Sequence, residues 1–469
     1  MTRLDIMTEQ PASILVIFGI TGDLSQRYLL PALYHLTKDG GLNPKTKIIG
    51  ITRRDVTTAQ LFQKVELCVN EVDNVCDPVA LEAMRNRTEM IQMDLDDVEA
   101  YEQLSAKLND IEEEQGECMN RLYYLSIPPS VYKNIIKLIG QAGLNKSCLH
   151  NQAESRIMVE KPFGSDLETA RQLIESTDEV FTENQIFRID HFLAKRPVQD
   201  ILSFRKNNPA LEQIWNNNYI ASVEISASED IGIEGRVQFY EPLGALRDFI
   251  QNHLLQIMAL VGMEIPDNLS SESIHKSKEA FLSIARPVDT TQKLSAIRAQ
   301  YEGYTDEVKN PASTTETYAE INLTIGEGLW SGVPVKIWTG KAMAKKSYQV
   351  KVLFKTENEE QPFLCFDIQP DDGIKLSGID NISGINDEQK DILQKIHVPP
   401  STIEKYPNAY ETVIQSAIQG DHTLFASSKE VLLSWQIIQP VLDIWRSGSN
   451  PIAMYPRGTE GPLGIPNSD

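Results

Sequence analysis

The sequence predicts an α/β protein of two domains: a doubly wound, mainly parallel sheet over residues 1–188, followed by a larger α+β domain over residues 189–469 with a mainly antiparallel sheet. Two observations carry this. In the first part, apolar runs recur at SILVIF (13–18), KIIGIT (47–52), EMIQMDL (89–95), RLYYLSI (121–127) and RIMVE (156–160), separated by helically spaced segments such as LLPALYHL and SVYKNIIKLIG. Buried strands alternating with helices are the pattern of βαβ units. In the second part, YIASVEISASED, TYAEINLTI, VPVKIWTG and YQVKVLF alternate polar and apolar residues, as strands with one covered face do. A length of 469 residues is also long for a single core. The stretches 305–316 and 356–400 read as surface excursions rather than linkers.

A formal net charge of -22 argues against nucleic acid and anionic membrane as general partners, because Lys and Arg would have to neutralise phosphates over a broad surface. Small anions remain compatible with local basic pockets. Cys68, Cys76, Cys118, Cys148 and Cys365 are scattered, odd in number and never spaced as CxxC, which favours free thiols in a reducing compartment. The opening MTRLDIMTEQPAS lacks a long apolar core, and no run approaches ~18 apolar residues, so a cytoplasmic location is expected.

The first strand runs into FGITGDLSQRYLL. Gly19 and Gly22 stand in the turn before a helix, where the missing side chains let backbone amides and the helix dipole approach a pyrophosphate. GxxGDL is not the full GxGxxG, and a tight turn with no ligand has the same residues. The second strand ends in Arg53 and Arg54, where a Rossmann domain that prefers NAD carries an acid on the ribose hydroxyls. Two guanidiniums suit a 2'-phosphate, so NADP is favoured; a solvated pair at a strand end is the plainer alternative.

Lys161, in VEKPFGSDL, stands at the carboxyl end of the fifth strand, where open α/β sheets bind ligands, although for a lone EKP a structural lysine beside a turn is the commoner case. RIDHFLAKR (188–196) concentrates positive charge in an acidic chain. If a helix begins near Asp190, His191 and Lys195 share one face and can hold a phosphate together; an N-capping Asp with a solvated basic face would explain each residue separately. GALRDFIQNHLLQIMALVG (244–262) is an apolar helix in which His253 shares the stripe of Phe249, Ile250, Ile257 and Leu260. A lone histidine there is more often a satisfied core residue than a catalyst, but Arg247, Asp248, Gln251 and Asn252 make the helix polar near it, and a buried polar cluster needs partners or a ligand. GKAMAKK adds Lys341, Lys345 and Lys346.

With these motifs in view, the sequence resembles the glucose-6-phosphate dehydrogenases of bacterial type over nearly its whole length. The resemblance rests on GITGDL, VEKPFG, RIDHFLAK, GIEGR, RDFIQNHLLQ, TGKAM, AYETVIQSAIQGDHTLFASSKEV and YPRGTEGP. It implies oxidation of glucose 6-phosphate at C1 to 6-phosphogluconolactone, the first oxidative step of the pentose phosphate pathway, with hydride passing to NADP and no metal required. His253 resembles the general base and Asp190 its orienting partner. His191 and Lys195 resemble the phosphate ligands, with Tyr455 approaching the same group. Lys161, Glu229, Asp248 and Lys341 resemble the residues around the sugar, with Lys346 a further contact. Gly19, Thr21, Gly22, Asp23, Leu24, Arg53, Arg54 and Lys161 fall on the cofactor side. A homodimer or dimer of dimers is expected.

Three positions depart from the family's pattern: Tyr28 stands where a lysine is usual, Phe192 where a tyrosine is usual and Ala194 where a glycine is usual. Arg27, Arg54 and Arg196 are candidates to compensate. Two other readings compete, a related NAD(P)-dependent sugar or polyol dehydrogenase and a non-catalytic sensor of NADP or sugar phosphates. Retention of both Asp190 and His253 speaks against the sensor.

Overall fold

A computed structural model describes residues 10–73, 75–146, 153–288, 296–393, 396, 408–448 and 450–462. The chain forms two compact units. The first comprises Met1–Gly164, Glu168–Ala194 and Tyr406–Ser428; the second comprises Ser165–Leu167, Lys195–Lys405 and Lys429–Asp469.

The first unit is built on strands β1 (Ser13–Phe18), β2 (Lys47–Thr52), β3 (Thr88–Gln92), β4 (Asn120–Leu125), β5 (Ser155–Glu160) and β6 (Ile186–Ile189). They lie in the order β6-β5-β4-β1-β2-β3, and all these pairs are parallel. That is the doubly wound arrangement, with its switch point between β1 and β4. Every residue of β1 and of β5 is buried; β1 therefore reads as a nearly continuous apolar run, while β5 (SRIMVE) also buries Ser155, Arg156 and Glu160 around its apolar centre.

The second unit holds β7 (Ile220–Ser228), β8 (Ala285–Pro287), β9 (Ala296–Tyr301), β10 (Tyr318–Ile325), β11 (Pro334–Gly340), β12 (Ser347–Phe354), β13 (Phe363–Gln369) and β14 (Gly373–Ser377). The order is β14-β13-β12-β7-β11-β10-β9, with β8 also on β10. Pairing is antiparallel except that β7 and β11 run parallel. The stretch 356–400, expected as a surface excursion, contains both β13 and β14, because FLCFDIQ is buried along its middle and pairs on both sides.

Two short strands close the chain. β15 (Phe425–Ala426) pairs antiparallel with β6, Phe425 opposite Ile189, and β16 (Ala453–Tyr455) lies parallel to β9. Where the sequence suggested one cut after residue 188, the chain therefore returns to its first sheet. Helix Ala409–Gln419 buries Val413, Ile414, Ala417 and Ile418 in the first unit's core, each large aliphatic side chain worth about 1.5–3 kcal/mol. Contacts of such long sequence separation leave no periodic signal in the chain.

Two local expectations are corrected. No helix begins at Asp190: its Oδ1 accepts the Phe192 N–H at 2.9 Å, forming a turn, and the next helix is Arg196–Asn207 with Pro197 in its first turn. His191 and Lys195 therefore do not share a helix face. Cys118 is disulfide-bonded rather than a free thiol, since thiol spacing does not report which cysteines folding brings together. Cys68, Cys76 and Cys365 are free, and Cys148 lies outside the described residues. Among the described residues, no helix is long and apolar enough to cross a membrane.

Candidate active site

In the first unit, β1 ends at Phe18 and the chain turns through Gly19, whose φ of +81° lies in the left-handed region. A Cβ at Gly19 would overlap the Ser126 carbonyl at the end of β4. The Gly19 N–H donates to Ile51 O at 3.0 Å and the Gly22 N–H to Gly19 O at 2.8 Å, drawing the turn tight against β2. The Ser25 hydroxyl donates to Ser126 Oγ (2.8 Å), and Thr21 Oγ1 meets Thr52 Oγ1 at 3.1 Å. The helix entered here opens with a π-helical stretch, Ser25–Leu29.

Above this turn lies a cavity of about 310 Å³ lined by Gly19, Thr21, Gly22, Arg53, Arg54 and Ser126, among others. It sits at the switch point of the sheet, the expected place for a dinucleotide. The side-chain-free cradle at Gly19 and Gly22 and the two exposed guanidiniums fit a dinucleotide's phosphates. Asp23 and Leu24 do not line the cavity, and the Asp23 carboxylate is paired with Arg27 at 2.7 Å.

The carboxyl ends of β5 and β6 carry the first unit's remaining candidates. Glu160 is buried and accepts the Tyr124 hydroxyl at 2.5 Å. Burial pushes its carboxyl up to about 7; the Tyr124 bond and Lys161 oppose this, and the Asp190 charge adds to it. Asp190 is buried and His191 half-buried. The His191 ring stacks on Tyr410 and meets Phe192 edge-on.

In the second unit, His253 sits on a π-helical stretch, Leu246–Leu254, which continues as α-helix Leu255–Gly262. Such stretches are frequent at functional sites. The Glu316 carboxylate accepts the Leu246 N–H at 3.0 Å, and Asn252 Oδ1 accepts the His253 N–H at 2.6 Å. His253 is buried, with the Phe249 ring edge-on at 5.4 Å. Phe249 in turn contacts Tyr348 at 5.7 Å.

Tyr348 joins the second unit's charged candidates. Its hydroxyl donates to Glu229 Oε1 at 3.3 Å, and burial with the Glu229 carboxylate raises its pKa. Lys195 Nζ lies 5.1 Å and Lys346 Nζ 5.9 Å from its ring centre. Lys195 also donates to Gln369 Oε1 at 3.0 Å. Glu229 is ion-paired with Lys341, which is only 5% exposed and stands over the Tyr240 ring. Asp248, half-buried on the π-helical stretch, adds negative charge near both Tyr240 and Tyr348.

Both parts of the chain match one family. Residues 16–200 match the NAD binding domain of glucose-6-phosphate dehydrogenase and residues 202–467 its C-terminal domain. The chain belongs to the glucose-6-phosphate dehydrogenase family. It is 35% identical to glucose-6-phosphate 1-dehydrogenase of Chlamydia pneumoniae over 96% of this chain and 93% of that one. It is 34% identical to the Bacillus subtilis enzyme, covering 97% and 96% of the two chains. A solved glucose-6-phosphate dehydrogenase in complex with glucose 6-phosphate superposes with a TM-score of 0.85 at 29% identity, over 98% of this chain and 97% of the other. A Mycobacterium avium family member does so at 0.81 and 32%, over 97% and 95%.

Among the family-derived candidates, the second unit gathers Lys195, Glu229, Lys341 and Lys346 around Tyr348, with His253 reached through Phe249. Tyr455 requires a correction. It is fully buried, and its hydroxyl donates to Lys341 O at 2.7 Å and meets Thr317 Oγ1 at 2.9 Å, so it braces the Lys341 turn instead of facing a phosphate. Two of the arginines offered as compensation are already engaged, Arg27 by Asp23 and Arg196 by Asp200 at 2.6 Å. Sequence reasoning missed Tyr348, Gln369, Tyr410 and Glu160. Tyr348 had a readable signal: it falls on the buried parity of YQVKVLF while carrying a hydroxyl that needs a partner.

Proposed function

We propose that this chain is a glucose-6-phosphate dehydrogenase that oxidises glucose 6-phosphate at C1 to 6-phosphogluconolactone and uses NADP. The observation that carries the reading is the match of both halves to the two parts of a single family, alongside likeness to a structure solved with glucose 6-phosphate. When bound, the nicotinamide supplies the hydride acceptor. His253 takes the proton of the C1 hydroxyl as hydride leaves C1, so that the hydroxyl oxygen becomes the lactone carbonyl. Burial of His253 against Phe249 supports this role by keeping bulk water from the base. The Lys341–Glu229 pair, its lysine buried and its glutamate half-buried, supports a role in orienting sugar hydroxyls, since a charged pair with further hydrogen-bonding capacity is a directional partner for them. Lys161, Asp190, His191, Lys195, Asp248 and Lys346 keep the roles that the resemblance implies.

Arg53 and Arg54 at the mouth of the dinucleotide cavity support NADP over NAD, since guanidinium forks suit a 2'-phosphate. The proposal includes a homodimer, checked by light scattering of the purified protein. The direct test is initial-rate formation of reduced nicotinamide from glucose 6-phosphate, with NADP and NAD offered separately. Turnover with preference for NADP is expected; folded protein inactive with both coenzymes would overturn the reading.

A further inference from the structure

Three rings from three separate chain segments stack in series in the first unit. Tyr28, on the helix after β1, stacks on Tyr410 with centroids 5.5 Å apart and planes 23° from parallel. Tyr410, in the first turn of helix Ala409–Gln419, stacks on His191 at 6.1 Å and 11°. Tyr410 is buried and tightly placed. Asn408 accepts its backbone N–H at 3.1 Å, capping the helix, and the Glu160 carboxyl faces its hydroxyl. Phe192 closes the edge of the imidazole at 5.1 Å. Tyr28 is 46% exposed, so Tyr410 lies between the solvent-facing Tyr28 and His191 in the chain of ring contacts.

We propose that Tyr28 is a positioning residue for the phosphate site, acting through Tyr410 to hold the His191 imidazole in its binding orientation. The inference rests on the reading that His191 takes the substrate's phosphate. An imidazole turns about its terminal torsion with little resistance, so its N–H reaches an anion well only if neighbouring rings fix the plane. At position 28 the family's usual lysine offers charge directly; here the same place supplies a ring that immobilises a ligand beforehand, which lowers the ordering cost of binding. Tyr28 touches neither phosphate nor cofactor in this account.

The test compares the full-length protein with Tyr28→Ala and Tyr28→Phe. The alanine variant is expected to raise KM for glucose 6-phosphate about 3- to 10-fold, the span of one aromatic pair. Its kcat and its KM for NADP should stay within about twofold of wild type. The phenylalanine variant, which keeps the stack and loses only the hydroxyl, should match wild type. An alanine variant with unchanged KM for the sugar phosphate would overturn the inference, and so would a phenylalanine variant as impaired as alanine. A rise in KM for NADP instead would assign position 28 to the cofactor and equally overturn it. If the wild-type protein does not oxidise glucose 6-phosphate, the functional reading fails separately. The inference is then decided by titrating inorganic phosphate while following the His191 ring protons by NMR. Weaker binding and a moved resonance in Tyr28→Ala support it; identical titrations sink it.

Discussion

The dinucleotide turn of the first unit and the charged cluster of the second are built in opposite ways. The turn at Gly19 and Gly22 owes its shape to backbone: a left-handed glycine, two N–H bonds, and an absence of side chains where the sheet's helices part. Its charges, Arg53 and Arg54, are exposed. Around Lys341, Glu229 and Tyr348, by contrast, charge is held by other side chains, with a buried ammonium and phenol, a half-buried carboxylate and two further, more accessible ammonium groups sharing one neighbourhood. A backbone-made site tolerates side-chain change at its rim, whereas a side-chain-made site fails when one member is removed.

His253→Asn should show the largest effect, because it removes the base and keeps most of the shape. A fall in kcat of about 10²- to 10⁴-fold is expected, the usual worth of general base catalysis, with glucose 6-phosphate binding largely kept when measured by calorimetry. A variant at full speed would take the base away from His253. Next comes Lys341→Met, which keeps the stem and strips the charge. Leaving the half-buried Glu229 without its partner should cost about 1–3 kcal/mol of stability in a denaturant titration, together with a loss in kcat/KM. Adding Glu229→Gln to that variant should recover part of the stability. No loss in the single variant would mean the pair is effectively solvated and the contrast between the two regions is smaller than their geometry suggests.

At the rim of the backbone-made site, the double variant Arg53→Ala, Arg54→Ala should lower kcat/KM with NADP by about 10- to 100-fold and with NAD much less. Equal losses with both coenzymes would detach these arginines from the 2'-phosphate. This pair was legible in the sequence because it is tied to a strand end by chain neighbourhood alone. So were β1, β2, β4 and β5, whose complete or near-complete burial writes apolar stretches at their centres, and the period-two strands β7, β10, β11 and β12. What stayed hidden depends on distant pairing: helix Ala409–Gln419 in the first core, Gln369 beside Lys195, and the Tyr410–His191 stack. The helix expected at Asp190 failed for a local reason, an aspartate side chain that bonds its own backbone and delays the helix to Arg196.

Glu160 gives the sharpest test, because it lies in a readable motif, EKP, yet its chemistry comes from burial. Its carboxyl is pushed from an ordinary 4.5 up to about 7, chiefly by desolvation. A folded-state pKa above the unfolded one means the native protein binds the proton more tightly, so this group's contribution to stability is greatest below pH 4.5. It falls as pH rises towards about 7 and then levels off. Glu160→Gln keeps a hydrogen-bonding partner for the Tyr124 hydroxyl and cannot ionise. Thermal melts across this window should therefore show wild type losing stability relative to the variant as pH rises, with the two curves parallel above it. Parallel curves throughout would mean that Glu160 ionises as it does in water, and that the ends of β5 and β6 are more open to solvent than their burial indicates.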